Sequence, residues 1–117
     1  MRPMTSVLIV DDHPTFRANA RALLEAEGLD VVGEAKDGTT ALLEIDRLRP
    51  QVVLLDVQLP DMDGFEVASR LPADGPRVIL VSSHDPHDFG GLVARSRAVG
   101  FIPKADLSGA AIADLLA

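Results

Sequence analysis

The 117-residue sequence contains no cysteine, no tryptophan and no tyrosine, and it has four phenylalanines. Without cysteine, the chain has no disulfide, no thiolate metal site and no thiol nucleophile. The shortage of aromatic residues disfavours cofactors whose flat rings need stacking partners. A chain without disulfides fits a reducing compartment, so a cytoplasmic location is the default expectation.

The sequence also lacks long apolar runs and an excess of basic residues. Its longest apolar stretches, such as residues 52–55, are far shorter than the roughly 20 residues that span a bilayer. No secretory signal pattern precedes the first apolar run. Eighteen acidic and 11 basic residues give a net charge of −7. Phosphate backbones and anionic lipids attract Lys and Arg, so we expect this chain by itself to bind neither nucleic acid nor membranes.

Hydrophobic residues make up 47% of the sequence, which is enough for a packed core. Five short apolar runs predict strands at residues 7–10, 31–32, 51–55, 78–81 and 101–102. Helical spacing of apolar residues predicts helices at 14–27, 41–48, 65–71, 89–99 and 107–117. This alternation predicts an α/β domain with an open parallel sheet and helices on both of its faces.

One edge of the predicted sheet collects residues that can do chemistry. Asp11 and Asp12 follow the first strand, Asp56 ends the third, Ser82 ends the fourth, and Lys104 follows the fifth. The carboxyl ends of parallel strands form the ligand-binding edge of an open α/β sheet. We therefore expect three carboxylates, a hydroxyl and an ammonium group to lie close together.

These groups together suit a phosphoryl group and a metal ion. Three neighbouring carboxylates repel one another unless a cation is present, and a hard divalent ion such as Mg²⁺ takes oxygen ligands. A metal, a lysine and a hydroxyl neutralise and position phosphoryl oxygens. A carboxylate can itself attack phosphorus. The sequence therefore predicts a metal-assisted phosphoryl site.

The motifs around these residues cover nearly the whole chain. They are Val-Asp-Asp-His-Pro at 10–14, Leu-Leu-Asp at 54–56, Pro-Asp-Met-Asp-Gly at 60–64, Ser82, and Gly-Phe-Ile-Pro-Lys at 100–104. In this order they resemble the receiver domain of bacterial two-component response regulators. Asp-Asp-His-Pro-x-Phe-Arg at 11–17 and Val-Gly-Glu-Ala at 32–35 further resemble its NarL/FixJ (LuxR-type) branch.

The resemblance implies a flavodoxin-like fold of five βα units, with strand order 2-1-3-4-5, over residues 1–117. It implies that Asp56 accepts a phosphoryl group from a sensor histidine kinase while Ser82 and Lys104 assist at the phosphoryl oxygens. It also implies a Mg²⁺ or Mn²⁺ ion. The implied metal ligands are Asp11, Asp12, Asp56 and the backbone carbonyl of Gln58.

The resemblance further implies a switch. After phosphorylation, Ser82 and Phe101 are expected to move together and to change the surface formed by the fourth helix, fifth strand and fifth helix. That surface, or the first and fifth helices, would serve a homodimer or contacts with an output domain or partner protein. Members of this branch usually carry a LuxR-type DNA-binding domain after the receiver, and we expect no output domain within this chain. A receiver domain is regulatory rather than an enzyme, although it promotes its own phosphorylation and dephosphorylation.

Two departures from the family pattern lie in the fourth helix. Arg97 stands where the family usually has glycine, and Gly90 and Gly91 weaken the start of the helix. We therefore expect this helix to be short, mobile or displaced. The switch aromatic is Phe101 rather than the common tyrosine, so it has no hydroxyl for a hydrogen bond.

Three other functions are weighed against this one. A phosphatase resembling haloacid dehalogenases needs a second aspartate two residues after its nucleophile, and this chain has Gln58 there. A flavin-binding electron carrier would have its phosphate repelled by Asp11 and Asp12. A receiver-like module that binds partners without being phosphorylated stays open, because the sequence does not exclude it.

Several further residues are assigned structural roles. We expect Phe16, Leu23 and Leu24 in the core, and Asp61 and Asp63 to shape their loop and cap the next helix. The glycine after Asp63 is expected to supply backbone freedom. A zinc site at the three histidines is not favoured, because their spacing matches no known zinc motif.

Overall fold

The computed structural model describes residues 5–117, and five parallel strands there form one sheet. The strands are β1 (Ser6–Val10), β2 (Asp30–Ala35), β3 (Val52–Asp56), β4 (Arg77–Ser82) and β5 (Gly100–Pro103). Their order is β2-β1-β3-β4-β5. The α/β fold class predicted from the sequence and the strand order implied by the family resemblance are therefore confirmed, with β2 and β5 at the edges.

Five α-helices connect and follow the strands. They are α1 (Pro14–Ala26), α2 (Gly38–Leu48), α3 (Gly64–Ser69), α4 (Leu92–Arg95) and α5 (Gly109–Leu116). Short 3₁₀ turns cover Pro86–Phe89 and Lys104–Asp106. Across residues 5–117, every helix is too short or too polar to cross a lipid bilayer.

Alternate residues of the sheet face two separate cores. Val53 and Leu55 of β3 pack with α2 and α3 on one face. Leu54 packs with Leu24 of α1 and Ile112 of α5 on the other. All five side chains are within 1% of complete burial, and each contributes about 1.5–3 kcal/mol of hydrophobic stabilisation. The sheet is thus a rigid platform for the loops at its carboxyl edge.

The helix boundaries follow from local sequence. Pro14 is the first residue of α1, where its missing N–H costs no hydrogen bond. Gly28 has φ +90° just after that helix, a conformation that favours glycine. Asp37, Asp63 and Ser108 each accept a hydrogen bond from the first turn of the following helix. The predicted capping role of Asp63 is confirmed.

The fourth helical segment is shorter than the sequence predicts. Its predicted extension to residue 99 is wrong, because α4 ends at Arg95, whereas the expectation of a short helix is confirmed. Gly90 has φ +58° and separates the 3₁₀ turn at Pro86–Phe89 from α4. Leu92 is 44% exposed, and α4 contains no buried residue, so little packing favours a longer helix here.

The prediction that Leu23 belongs to the core is wrong. Leu23 is 36% exposed, whereas Leu24 is fully buried and Phe16 is half-buried. Adjacent helical residues point about 100° apart. Because α1 directs Ala20 and Leu24 at the sheet, Leu23 lies on the flank of the helix.

Candidate functional site

The carboxyl ends of β1 and β3 place two buried aspartates side by side. Asp11 follows β1 and Asp56 ends β3, and the two residues are 0% and 2% exposed. Asp12 and His13 lie at the exposed rim. One ligand atom from each of these four residues lies within 4.8 Å of the others. This acidic pocket favours a cation, because carboxylates so close together repel one another.

Lys104 reaches into the acidic pocket from the end of β5. Its Nζ lies 2.6 Å from Asp11 Oδ2 and 3.3 Å from Asp56 Oδ2. The ammonium group also lies 4.5 Å from the centre of the Phe16 ring, a distance at which a cation and an aromatic ring attract each other. The side chain of Lys104 is 16% exposed. The fold therefore brings the charged groups of Asp11, Asp56 and Lys104 close together, as the sequence predicts.

Burial and charge perturb the proton affinities in the pocket. Burial, and next the negative charge of Asp11, raise the pKa of Asp56 from 3.8 to about 6, against the lowering effect of Lys104. Burial alone would lower the pKa of Lys104, but its contacts with Asp11 and Asp56 outweigh burial and raise that pKa. A single lysine thus compensates the two carboxylates incompletely, and the pocket retains an affinity for further positive charge.

Free carboxylate lone pairs in the pocket fit a hard divalent cation. Asp11 Oδ2 is buried, makes no hydrogen bond of regular geometry, and lies 2.6 Å from the ammonium of Lys104. Asp56 Oδ1 accepts one long hydrogen bond of 3.3 Å from the Gln58 N–H. Oxygen atoms of this kind are preferred ligands of Mg²⁺. Asp11, Asp12, Asp56 and the backbone carbonyl of Gln58 would hold the ion.

Sequence reasoning gave His13 no place in the pocket. Its ring nitrogen Nδ1 lies 3.0 Å from Asp11 Oδ1 and 3.1 Å from Asp12 Oδ1. The backbone N–H of His13 donates a hydrogen bond of 2.8 Å to Asp11 Oδ1. His13 is the N-cap of α1 and makes no side-chain capping bond. The position of His13 between two acids and a proline was the available signal.

Ser82 and Phe101 lie on neighbouring strands beside the pocket. Ser82 is 1% exposed at the end of β4, and its Oγ accepts a hydrogen bond of 3.0 Å from the His84 N–H. That arrangement leaves the hydroxyl proton free to donate elsewhere. Phe101 is half-buried on β5, and its ring centre lies 6.0 Å from that of Phe89. The coupled movement of Ser82 and Phe101 stays a prediction.

Comparison with known proteins agrees with this geometry. A family model described as the response regulator receiver domain matches residues 7–112. The chain belongs to the response regulator receiver domain family. Receiver domains are regulatory, and they generally bind Mg²⁺ at an acidic pocket. This chain has a cluster of aspartates, Asp11, Asp12 and Asp56, at the carboxyl edge of its sheet.

Curated relatives place this receiver domain in the NarL/FixJ (LuxR-type) branch. It is 41% identical over 104 residues to the transcriptional regulatory protein NarL of Mycobacterium tuberculosis, covering 84% of this chain and 47% of the relative. It is 36% identical over 104 residues to the response regulator GacA of Pseudomonas protegens, covering 86% and 49%. The chain thus spans about half the length of these relatives.

Solved structures agree with that placement. The signal receiver domain of NarL from Mycobacterium tuberculosis is 36% identical with a TM-score of 0.79, and the match covers 98% of both chains. A LuxR-family two-component response regulator from Aurantimonas sp. is 29% identical with a TM-score of 0.85, over 97% of this chain and 86% of that one.

Arg17 of this receiver domain supports the backbone of the acidic pocket. Its Nη1 donates a 2.6 Å hydrogen bond to the carbonyl oxygen of Asp11, and its Nε donates to Glu34 Oε1 at 3.1 Å. Arg21 binds the other oxygen of Glu34 at 2.7 Å. The hydrogen bond of Arg21, followed by its charge and the contacts of Arg17, outweighs burial and lowers the pKa of Glu34. Sequence reasoning did not anticipate this support.

Replacing Arg17 by methionine is expected to weaken both the fold and Mg²⁺ binding. The variant keeps an apolar stem but loses the donor to Asp11, which costs about 1–3 kcal/mol of unfolding free energy. Guanidinium unfolding and calorimetric Mg²⁺ titration measure the two effects. Arg21→Met is the matched control, because Arg21 also binds Glu34 but does not contact Asp11. Equal Mg²⁺ affinities for the two variants would contradict the role assigned to Arg17.

Proposed function

We propose that this receiver domain is a signalling switch that accepts a phosphoryl group on Asp56. The observation that carries the proposal is the 3.3 Å contact between Lys104 Nζ and Asp56 Oδ2 inside an acidic pocket suited to a divalent cation. With a pKa raised to about 6, Asp56 is mostly ionised at pH 7 to 8 and can act as the nucleophile.

In the proposed reaction, an oxygen of Asp56 forms a bond to phosphorus as the phosphorus–nitrogen bond of a kinase phosphohistidine breaks. The electron pair of the broken bond stays on the imidazole nitrogen, which takes a proton from solvent. Lys104 and the hydroxyl of Ser82 donate hydrogen bonds to phosphoryl oxygens. A Mg²⁺ or Mn²⁺ ion held by the acidic pocket would neutralise negative charge on the same group.

The metal ligands in this proposal are those that the family resemblance implies. The proposed ligands are the carboxylates of Asp11, Asp12 and Asp56 and the backbone carbonyl of Gln58. Their support is the buried Asp11 oxygen without a hydrogen bond and the closeness of the carboxylates. Two cations hold Asp11: Arg17 binds its carbonyl oxygen and Lys104 binds its carboxylate.

The signal is proposed to leave the pocket through Ser82 and Phe101. The Ser82 hydroxyl has a free proton with which to follow the phosphoryl oxygens, and Phe101 fills the space that this movement opens. The affected surface consists of α4, β5 and α5. Leu92 of α4 and Val99, the residue before β5, are both exposed. That surface, or α1 with α5, would form a homodimer or contact a partner, since one added charge can bias a two-state element.

The partners follow from the family. Response regulator receiver domains interact with histidine kinases and with output domains. We propose a sensor histidine kinase as donor and a LuxR-type DNA-binding domain, outside these 117 residues, as the output. Two-component regulators of this kind work in the cytoplasm, and we propose that location here. Catalysis is limited to the chain's own phosphorylation and dephosphorylation.

Phosphorylation at Asp56 is directly testable. The protein is incubated with acetyl phosphate and Mg²⁺, and its intact mass is measured. We expect a single added phosphoryl group on the wild-type protein, loss of that addition with EDTA, and none on Asp56→Asn. Asp46→Asn, which removes an exposed carboxylate on α2, should be phosphorylated like the wild type.

Two results would contradict this function. Equal phosphate uptake by wild type and Asp56→Asn would place the phosphoacceptor elsewhere. No uptake by the folded wild type, from acetyl phosphate or from a cognate kinase, would instead favour a binding module that works without phosphorylation.

A further inference from the structure

Hydrogen bonds connect the loop between β3 and α3 to the start of α2. Asp61, in the middle of that loop, accepts hydrogen bonds from the N–H of Gly38 at 2.8 Å and of Thr39 at 2.9 Å. It also accepts one from the Thr39 hydroxyl at 2.7 Å. Gly38 and Thr39 begin α2. The prediction that Asp61 caps the next helix, α3, is wrong, because Asp61 caps the start of α2 instead.

Two aspartates satisfy the first turn of α2 together. Asp37, the N-cap, accepts from the Thr40 N–H at 2.7 Å and, through its carbonyl, from the Ala41 N–H at 3.0 Å. The N–H groups of Gly38 and Thr39 go to Asp61, which lies 23 and 22 residues away. A local cap such as Asp37 is enough to begin a helix. The additional cap from Asp61 therefore joins two parts of the chain.

Packing reinforces the connection. A side chain at Gly38 would collide with Met62, the residue after Asp61. At the other end of the loop, a Cβ at Gly64 would lie 2.6 Å from the carbonyl oxygen of Asp56. The N–H of Gly64 donates to the carbonyl of Val57 at 2.7 Å. Gly64 is thus required by close approach, and not by the backbone freedom that the sequence suggested.

The connected loop carries the groups that the proposed function needs. Gln58, whose carbonyl is a proposed metal ligand, forms an isolated bridge with Asp63 and donates its N–H to Asp56 Oδ1. Asp61 lies between Gln58 and Asp63 along the chain. The hydrogen bonds that hold Asp61 on α2 therefore also limit how far the Gln58 carbonyl can move relative to Asp56.

We propose that Asp61 is a positioning residue for the metal site, because its hydrogen bonds to the start of α2 hold the loop that presents the Gln58 carbonyl. This inference rests on the proposed function. The hydrogen bonds from Thr39 and Gly38 lower the pKa of Asp61 to about 2. Asp61 is therefore an anion at neutral pH. Outer groups that orient metal ligands typically change metal affinity by about 10–100-fold when removed.

The experiment compares two residues that cap the same helix. Asp61→Ala removes the connection between the loop and α2, whereas Asp37→Ala removes a cap of α2 and leaves the loop untouched. Mg²⁺ affinity is measured by calorimetry at a temperature where both variants are fully folded by circular dichroism. We expect Asp61→Ala to weaken Mg²⁺ binding by about tenfold and Asp37→Ala to stay within about twofold of wild type.

Two conservative variants extend the series if Asp61→Ala does not fold. Asp61→Asn keeps one acceptor oxygen and should recover part of the affinity. Thr39→Val removes the hydroxyl donor while keeping the shape of the side chain. It should weaken Mg²⁺ binding by less than Asp61→Ala does.

The outcomes separate this inference from the function beneath it. The proposed metal site, and the inference with it, would be overturned if the wild type bound no Mg²⁺ or bound it no more tightly than Asp56→Asn does. Wild-type protein that binds Mg²⁺ through Asp56, but no more tightly than Asp61→Ala and Asp61→Asn, would overturn the positioning role alone. Asp61 would then be a cap that stabilises α2.

Discussion

Replacing Asp56 by asparagine is expected to stabilise the metal-free receiver domain by about 1–3 kcal/mol at pH 8. Asp56 is 2% exposed and shares its pocket with the fully buried Asp11. Burial and the charge of Asp11 raise the pKa of Asp56 to about 6. At pH 8 the folded protein therefore carries a charge that the unfolded chain accommodates more easily. Asparagine has nearly the same shape and removes that charge.

The gain should depend on pH in one direction. The pKa of Asp56 in the folded protein, about 6, lies above its ordinary value of 3.8. Protonation of Asp56 therefore stabilises the wild-type fold fully below about pH 4, and this contribution is lost as the pH rises through 6. The asparagine variant has no such group. The difference between the two proteins should be small near pH 4 and should reach its full size above about pH 7.

Guanidinium unfolding in EDTA at several pH values measures this difference. Asp46→Asn, at an exposed position on α2, is the matched control and should change stability little at any pH. Added Mg²⁺ should stabilise the wild type more than Asp56→Asn, because ligand that binds only the folded state adds to its stability. Relief of the buried Asp56 charge would be contradicted as the cause if Asp46→Asn gained as much stability as Asp56→Asn, or if the gain of Asp56→Asn were larger at pH 4.5 than at pH 8.

The residues of the pocket could be predicted because the sheet itself positions them. Asp11, Asp56 and Ser82 end or follow buried strands, and parallel strands share one carboxyl edge. The positions of the strands in the sequence therefore place these residues at one edge of the sheet, and no knowledge of loop conformation is required. Lys104 is similar, since it directly follows β5.

Residues whose contacts depend on loop shape could not be predicted in this way. Asp61 lies 23 residues after Gly38 in the sequence, and only the path of the loop brings its carboxylate to the start of α2. Arg17 is on a helix, but its reach to the Asp11 carbonyl depends on the turn between β1 and α1. The end of α4 was misplaced for a different reason, because Leu92 finds no core to pack against and local spacing alone does not sustain a helix.

Replacing Lys104 by methionine is expected to lower the unfolding free energy of the metal-free receiver domain by about 3–5 kcal/mol at pH 8. Lys104 Nζ lies 2.6 Å from Asp11 and 3.3 Å from Asp56, and both carboxylates are buried. Methionine keeps an unbranched apolar side chain but loses the ammonium, and with it the attraction to the Phe16 ring and the cation between the two acids. The loss should diminish as the pH falls, because removal of the ammonium raises the pKa of Asp56 further and protonation relieves the repulsion.

The matched control for this change is Arg95→Met, which removes an exposed cation from α4. Surface charges contribute little, so this variant should lose less than about 0.5 kcal/mol. Mg²⁺ should restore more stability to Lys104→Met than to the wild type, since the ion then supplies the missing positive charge. A loss in Lys104→Met that is independent of both pH and Mg²⁺ would indicate damaged packing instead of an uncompensated charge.

Combining the two variants tests whether charge compensation joins them. In the wild type, Lys104 offsets part of the repulsion between Asp11 and Asp56, so removal of the Asp56 charge gives a limited gain. In the Lys104→Met background that repulsion is uncompensated. Asp56→Asn should therefore stabilise the Lys104→Met protein by at least about 1 kcal/mol more than it stabilises the wild type. Coupling energies between contacting residues are typically about 0.5–3 kcal/mol. If the two changes instead add to within about 0.5 kcal/mol, the ammonium and the carboxylate act independently. The 3.3 Å contact on which the proposed phosphoacceptor role rests would then have no energetic consequence in the folded protein.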